Sequence, residues 1–349
     1  MSKKKEPKEI WACDFETTTD PLDCRVWAWG ASFVSDSSIK EYGNSIDGFI
    51  EWCKQKTRKL YFHNLAFDGE FIVSWLLSNG YEYSDKPKTG CFKTIISNTG
   101  LWYSIEIWWK YSIYRSTKTT IWDSFKLIPF SIEKIAHDFN LPIRKLKLDY
   151  NTKREIGHEL TPHEVDYLFN DIDIEGMALN ECFKLGFNKM TATSCSFETF
   201  KKSLPMAFEK IFPPLEMNVD TDLRPAYSGG FVWANPELKE KEINHGIVFD
   251  VNSLFPSRMY YEVLPYETPV YFDGEYKQDD NYPLWVGVVS FAFDIKQDHI
   301  PCISLGKFSR FFGSKKYVDS SNGDIVRMTV TSVDWQLFNE QYDIYDVEF

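Results

Sequence analysis

Apolar and polar positions change period several times along the chain, and those changes predict the elements. EIWACDFETTT (9–19) and CRVWAWGASFV (24–34) read as two strands in hairpin relation. GFIEWCKQK (48–56) reads as a short helix and KLYFHN (59–64) as a buried strand. DGEFIVSWLLSNG (68–80) reads as an amphipathic helix ended by Gly80. A β-rich patch follows, FKTIISNTGLWYSIEIWW and TKTTIWDSF, alternating with period two and turning at Asn98-Thr99-Gly100. The clearest helix is LTPHEVDYLFNDIDIEGMALNECFKLGF (160–187), with Thr161 as N-cap, Pro162 in the first position and Glu164 closing a capping box. Helices on a mixed sheet predict an α/β domain over 9–190, after a basic tail at 1–8. Beyond it, FPPLEMN and YSGGFVWANP are turn-rich, and GIVFDVNSLFPSRMYYEVLP (246–265) predicts a buried strand running into a helix. From about 261 the chain reads as β-rich, and its final DVEF as the start of a strand with no partner after it.

Composition narrows the classes. With 349 residues, 43 % hydrophobic and 17 % aromatic, the chain can bury a sizeable core and is far too apolar to be disordered. Its 28 Phe, 19 Tyr and 12 Trp leave rings to spare for a surface that stacks bases or grips a partner. The net charge of -12 lacks the basic excess of a general nucleic-acid binder. It is compatible with a nuclease or polymerase, in which clustered carboxylates hold cations that bridge to phosphates. The 7 cysteines are dispersed and without zinc spacing, which predicts reduced thiols in a cytoplasm. The sequence contains neither a signal-peptide pattern nor an apolar run of ~20 residues, so no membrane association is expected.

Three short elements carry candidate chemistry. In CDFETTTDP, Asp14 and Glu16 lie two apart on a strand and face the same way. Alone, the pair fits a solvated edge strand equally well. In YFHNLAFDGEF, a strand ends at Asn64 and Asp68 stands where a helix begins, as a metal ligand or simply as its N-cap. His63 has no second ligand histidine nearby and also reads as a satisfied half-buried side chain. In DYLFNDIDI, Tyr167 and Asp171 are i and i+4 on one helix face, while Asp173 and Glu175 are assigned to other faces as surface charge. Together the four acids make chemical sense. In-line attack on a phosphodiester is served by two cations ~3.5–4 Å apart, and hard divalent ions prefer carboxylate oxygens.

The order D-x-E, N-x-x-x-D, Y-x-x-x-D resembles the proofreading 3'–5' exonuclease domain of family B DNA polymerases. The wording CDFETTT, YFHNLAFDG and TPHEVDYLFND is similar to the protein-primed bacteriophage branch, the phi-twenty-nine-like polymerases. The resemblance implies an RNase-H-like exonuclease domain in which Asp14, Glu16, Asp68 and Asp171 hold two Mg²⁺ or Mn²⁺ and Tyr167 assists. IRKLKLDY resembles the motif that brings Lys145 near the scissile phosphate. IWDSFKLIPF resembles the segment that contacts the single-stranded 3' end, here through Ser124 and Phe125. Thr17, His63, Asn64 and Phe67 are implied to hold the frayed strand.

YSGGFVWAN resembles the DNA-contacting linker between exonuclease and polymerase modules and implicates Tyr227, Gly229 and Gly230. FDVNSLFPSRMY resembles the first polymerase motif. It implies that Asp250 binds metal and that Asp250, Ser253, Leu254 and Phe255 meet an incoming nucleotide, with Phe255 where the family usually has Tyr. Residues 191–260 would then be linker and first part of the palm, and 261–349 the insertion that contacts the priming terminal protein and duplex DNA. K-x-x-x-N-S-x-Y-G does not occur in the sequence, and no D-T-D follows FDVNSLFPSRMY; the one D-T-D, Asp220 to Asp222, precedes it. The expectation is therefore the N-terminal portion of a polymerase, or one half of a split enzyme completed by a separate chain. It would degrade single-stranded and primer-template DNA and synthesise none alone. The rivals are a free-standing exonuclease and a scaffold that binds DNA and priming protein without cutting.

Overall fold

The computed structural model describes residues 9–20, 22–110, 116–146, 154–304 and 317–349. The basic tail, most of LKLDY after Leu146 and the stretch after Ser304 in IPCISLGKFSRF lie outside the described residues. The chain divides into two units, 1–203 and 204–349.

The first unit comprises strands β1 (Glu9–Thr17), β2 (Val26–Phe33) and β3 (Asp36–Gly43), helix α1 (Ile46–Gln55), β4 (Arg58–Phe62), α2 (Leu65–Ser78) and β5 (Glu82–Tyr83). It continues with β6 (Cys91–Ile96), β7 (Trp102–Lys110), β8 (Ser116–Asp123), α3 (Ile132–Asp138), α4 (Pro162–Lys184) and α5 (Ala192–Ser203). The 8 strands form one mixed sheet in the order β3-β2-β1-β4-β8-β7-β6-β5. The hairpins β1–β2 and β6–β7 form as expected. The centre is parallel: β1 runs with β4, and β4 with β8, in a register that aligns Cys13, Phe62 and Asp123. The carboxyl ends of these three strands therefore share one edge, the place where α/β sheets usually bind ligands.

Strand alternation sorts the core into two layers. Trp11, Cys13 and Phe15 point to a cluster with Phe49, Phe62, Leu76 and Ile121. Ala12 points the other way, into a cluster with Tyr61, Leu168, Ile172 and Leu179. Asp14 and Glu16 follow Ala12 onto this second face, beneath α4. The close seat of α4 depends on Gly30, which pairs with Asp14 across the hairpin. A Cβ at Gly30 would lie 2.6 Å from Ile172 Cδ1 and 3.0 Å from Leu168 Cγ. The capping box of α4 is formed, with the Glu164 N–H donating to Thr161 Oγ1 and the Thr161 N–H donating to Glu164.

The second unit carries α6 (Phe208–Ile211), α7 (Met217–Leu223), α8 (Leu254–Tyr261), β9 (Val286–Ile295), β10 (Val326–Thr331), α9 (Ser332–Gln341) and β11 (Tyr342–Glu348). β9 is the middle of a 3-stranded antiparallel sheet. Val289, Phe291, Phe293, Phe338 and Tyr342 form its core. The buried Tyr342 hydroxyl donates to the Val318 carbonyl and accepts from the N–H groups of Cys302 and Ile303.

Two expectations are corrected here. The final DVEF ends a strand rather than beginning one, since β11 starts at Tyr342 and pairs back onto the earlier β9. The buried strand expected at 246–251 is exposed coil, with Val248 96 % and Phe249 87 % exposed. No strand among the described residues pairs with it, and a strand exists only through its ladder. The helix expected after it is present as α8.

Candidate active site

Six of the candidate residues of the first unit come together at the carboxyl edge of β1, β4 and β8. A cleft of about 480 Å³ opens there, lined among others by Asp14, Asp171, Lys145, His63, Asn64 and Phe125. Asp14 reaches it from β1, with Glu16 buried two residues on; the pairing of β1 to β2 shifts register between Glu16 and Thr17, an irregularity of the kind that re-aims side chains beside sites. Asn64 takes a left-handed backbone (φ 70°) between β4 and α2 and donates its N–H to Asp123 Oδ1 at 3.0 Å. That turn starts the helix at Leu65, so Asp68 is not its N-cap and instead lies buried within the first turn. Asp123 also accepts the Phe125 N–H at 3.0 Å, fixing the turn that carries Ser124 and Phe125.

The carboxylates act on one another. Burial, then the facing Asp171, push Asp14 up to about 7. Burial, Asp14 and Asp171 push Glu16 up to about 8. Burial and Asp14 hold Asp68 well above the usual carboxylate range. Four acids thus share one field, answered by Lys145, whose Nζ lies 2.9 Å from Asp171 Oδ2. Asp68 Oδ1 is buried and has no hydrogen-bond partner, a costly state for a carboxylate. Among the described residues no three His, Cys, Asp or Glu side chains already converge as a ligand set. The donor set of hard oxygens with an orphaned Asp68 atom suits divalent cations.

Around the acids, Tyr167 is buried one helical turn before Asp171. Phe67 is 52 % exposed, with its ring 5.8 Å from that of Phe71. Thr17 is half-buried at the end of β1. His63 is satisfied on both nitrogens, Nδ1 lying 2.9 Å from Ser124 Oγ and Nε2 2.8 Å from the Phe130 carbonyl.

Glu175 is corrected, whereas Asp173 keeps its place as a half-buried charge on another face. Asp173 accepts from Ser32 Oγ at 2.9 Å and Lys40 Nζ at 2.7 Å. Glu175 is buried and lines the cleft. Tyr167, Asp171 and Glu175 are spaced by four, so helix periodicity itself places them on one face. A further feature not foreseen is the buried Arg154–Glu164 pair (2.8 Å), with Arg154 stacked on Trp27. Its charge lies close enough to oppose the rise of Glu16.

Tyr227, Gly229, Gly230, Asp250, Ser253, Leu254 and Phe255 belong to the second unit, where all are exposed. A Cβ at Gly229 or Gly230 would meet nothing within 4 Å, so packing inside the chain does not demand glycine there. Ser253 is left-handed (φ 54°) at the start of α8.

The match to family models is direct: "DNA polymerase type B, organellar and viral" covers residues 51–169 and 147–349, and the chain belongs to this family. Within it the chain is phi29-like, of the protein-primed phage type, and corresponds to an N-terminal portion of the full-length homologues. It is 44 % identical over 344 residues to the DNA polymerase of Bacillus phage B103 and 44 % identical over 347 residues to that of Bacillus phage phi29. The DNA polymerase of Streptococcus phage Cp-1 is 26 % identical over 361 residues. These alignments cover 98 %, 99 % and 95 % of this chain and 60 % of each relative, so the chain spans about 60 % of their length. Phi29 DNA polymerase with primer-template DNA and incoming nucleotide superposes with a TM-score of 0.90 at 43 % identity, covering 99 % of this chain and 60 % of that one. The same polymerase with single-stranded DNA superposes at 0.83 with 42 % identity, covering 98 % and 59 %.

Proposed function

We propose that this chain is the 3'–5' exodeoxyribonuclease portion, with the beginning of the palm, of a protein-primed DNA polymerase. The observation that carries the reading is the placing of Asp14 and Asp171 on one cleft at the carboxyl edge of three parallel strands, with Glu16 and Asp68 buried close enough to feel the Asp14 charge. That arrangement supports an RNase-H-like exonuclease domain over 9–190. Two Mg²⁺ or Mn²⁺ held by the four acids would supply Lewis acidity for in-line attack on the terminal phosphodiester.

The chain's own residues do the rest. Lys145 offsets charge developing on the phosphate. The Tyr167 hydroxyl orients the attacking water. Thr17, His63, Asn64, Phe67, Ser124 and Phe125 hold the single-stranded 3' end, the exposed rings stacking on bases. Tyr227, Gly229 and Gly230 contact DNA between modules. Asp250 with Ser253, Leu254 and Phe255 supplies one acid and part of the nucleotide pocket of a palm. One palm acid cannot hold the ion pair that polymerisation needs, so this chain makes no DNA by itself. Residues 261–349 form the surface for a priming terminal protein, and the enzyme works in the cytoplasm of a bacterial host.

The reading is tested by incubating the 349-residue protein with a 5'-labelled single strand and Mg²⁺, then with primer-template and deoxynucleotides. Stepwise shortening from the 3' end without any primer extension is expected. Extension by this chain alone would refute the division of labour.

A further inference from the structure

We propose that Asn170 is a positioning residue for Lys145: its side-chain amide ties the loop that carries the lysine to helix α4, one residue before Asp171, and so holds the ammonium at the cleft. The inference rests on the reading of Lys145 as the group that offsets phosphate charge, and it names what keeps that group in place.

A lysine is a poor fixed point by itself, because its charge rides on a flexible four-carbon stem. The Lys145 side chain is 41 % exposed, and residues 139–146, which carry it, belong to no helix or strand. Its direction must come from the backbone beneath it. Asn170 Nδ2 donates to the Arg144 carbonyl at 2.9 Å. A carbonyl only accepts, so the amide nitrogen, not its oxygen, faces the loop. The same nitrogen lies 3.5 Å from Asp171 Oδ1, too far to restrain that acid. Arg144 precedes Lys145, Asn170 precedes Asp171, and Lys145 Nζ meets Asp171 Oδ2 at 2.9 Å. Backbone tie and ion pair thus join the same two segments, one residue apart on each.

The other side of the loop is fixed on α3. That helix ends with Asn140 left-handed (φ 50°), the Asn140 N–H donating to the His137 carbonyl and the Leu141 N–H to the Ala136 carbonyl, each at 3.0 Å. This is a Schellman ending, which sets the path of the chain as it leaves the helix. Leu141 is then buried in the second core layer. The Arg144 guanidinium turns back to the end of α3, donating to the Ala136 carbonyl at 3.1 Å and to that of Leu141. Arg144 therefore carries two anchors, its side chain on α3 and its carbonyl on α4.

The anchor on α4 is the one that refers the loop to Asp171. Without the Asn170 donor the loop stays attached to α3, but Arg144 and Lys145 are released from α4 and the ammonium spends part of its time away from the cleft. The loss falls on rate rather than on binding, because Lys145 answers charge that develops during the reaction.

The test uses Asn170→Leu, which keeps the shape of the side chain and removes the donor, and Asn170→Ala, each alone and with Lys145→Ala. Cleavage of a 5'-labelled single strand is followed at saturating Mg²⁺, and binding of a fluorescent oligodeoxynucleotide is measured in EDTA. Both Asn170 variants are expected to lower kcat about fivefold, the scale of one lost hydrogen bond, with KM and binding within about twofold. In the Lys145→Ala background neither should cost anything more, because the group they position is gone. Unchanged kcat, or a loss of the same size in both backgrounds, would overturn the proposal, the second by showing that Asn170 supports α4 or Asp171 in general. Acylation of lysines by a small N-hydroxysuccinimide ester in metal-free buffer, read by mass spectrometry, needs no cleavage. Asn170→Leu should raise the rate at Lys145 about threefold, the scale of an exposed ion pair, and leave the exposed Lys88 unchanged. No change at Lys145, or an equal rise at Lys88, would contradict it. A chain in which Lys145 responds to Asn170 but no strand is cut would sink the nuclease reading and leave the positioning standing.

Discussion

Phe62 and Phe249 both follow β-branched or apolar neighbours in strand-like segments, yet their surroundings have nothing in common. Phe62 ends β4 between β1 and β8 and is fully buried, whereas Phe249 sits in coil and is 87 % exposed. In the first unit each strand finds neighbours, and helices cover both faces of the sheet. In the second, β9, β10 and β11 close a small core, but Ile247, Val248 and Phe249, then Tyr260 and Tyr261, remain uncovered. The contrast teaches that an apolar run specifies a strand only when the rest of the sheet is at hand. It also explains why several candidate residues of the first unit share a cleft while those of the second are a set of exposed residues.

Mutations can break or sharpen this contrast. The largest effect is expected at Phe62, where truncation to Ala should remove about 3–5 kcal/mol of stability, read by urea denaturation of the first unit. Next comes Glu164. Burial alone would raise its carboxyl, but hydrogen bonds from His158, Thr161 and Arg154 hold it down at about 2, against an ordinary 4.5. At about 1.4 kcal/mol per pH unit, the ionised form contributes on the order of 3 kcal/mol. Because the folded value is depressed, that contribution is complete above pH 4.5 and disappears as pH falls toward 2. Glu164→Gln should therefore flatten this part of the acid limb in a plot of melting temperature against pH. An unchanged limb would show that other acids set it.

Smaller again is Thr161→Ala, which removes the N-cap of α4 while leaving its core face intact. A loss of about 1 kcal/mol is expected in the same denaturation experiment. The smallest effect belongs to Phe249→Ala in the second unit, within about 0.5 kcal/mol of the unmutated chain. A larger loss there would mean that Phe249 is covered after all.

Much of the first unit is legible in residue order because its signals are local. Thr161, Pro162 and Glu164 announce α4, and alternation about Trp11, Cys13 and Phe15 announces β1. The turn at Asn64 is harder to read, since nothing in YFHNLAFDG shows that the chain goes left-handed and starts the helix before Asp68. Glu175 was within reach, because its spacing of four from Asp171 puts both on one face, but an acid in a helix reads as solvated until the sheet beneath it is known. The Arg154–Glu164 pair joins residues on either side of a turn and leaves no periodic trace. Seating α4 on Gly30 is a three-dimensional fact, visible only once β2 and α4 face each other.

The central claim is that Asp14, Glu16, Asp68 and Asp171 form one metal-dependent nuclease site. The direct measurement follows a 5'-labelled single strand with Mg²⁺ or Mn²⁺, comparing the unmutated chain with one carrying Asp14→Ala and Asp68→Ala, and confirming that both melt cooperatively. The account predicts a ladder shortening from the 3' end in the first and none in the second, with EDTA abolishing the first. Equal degradation by both proteins would contradict it.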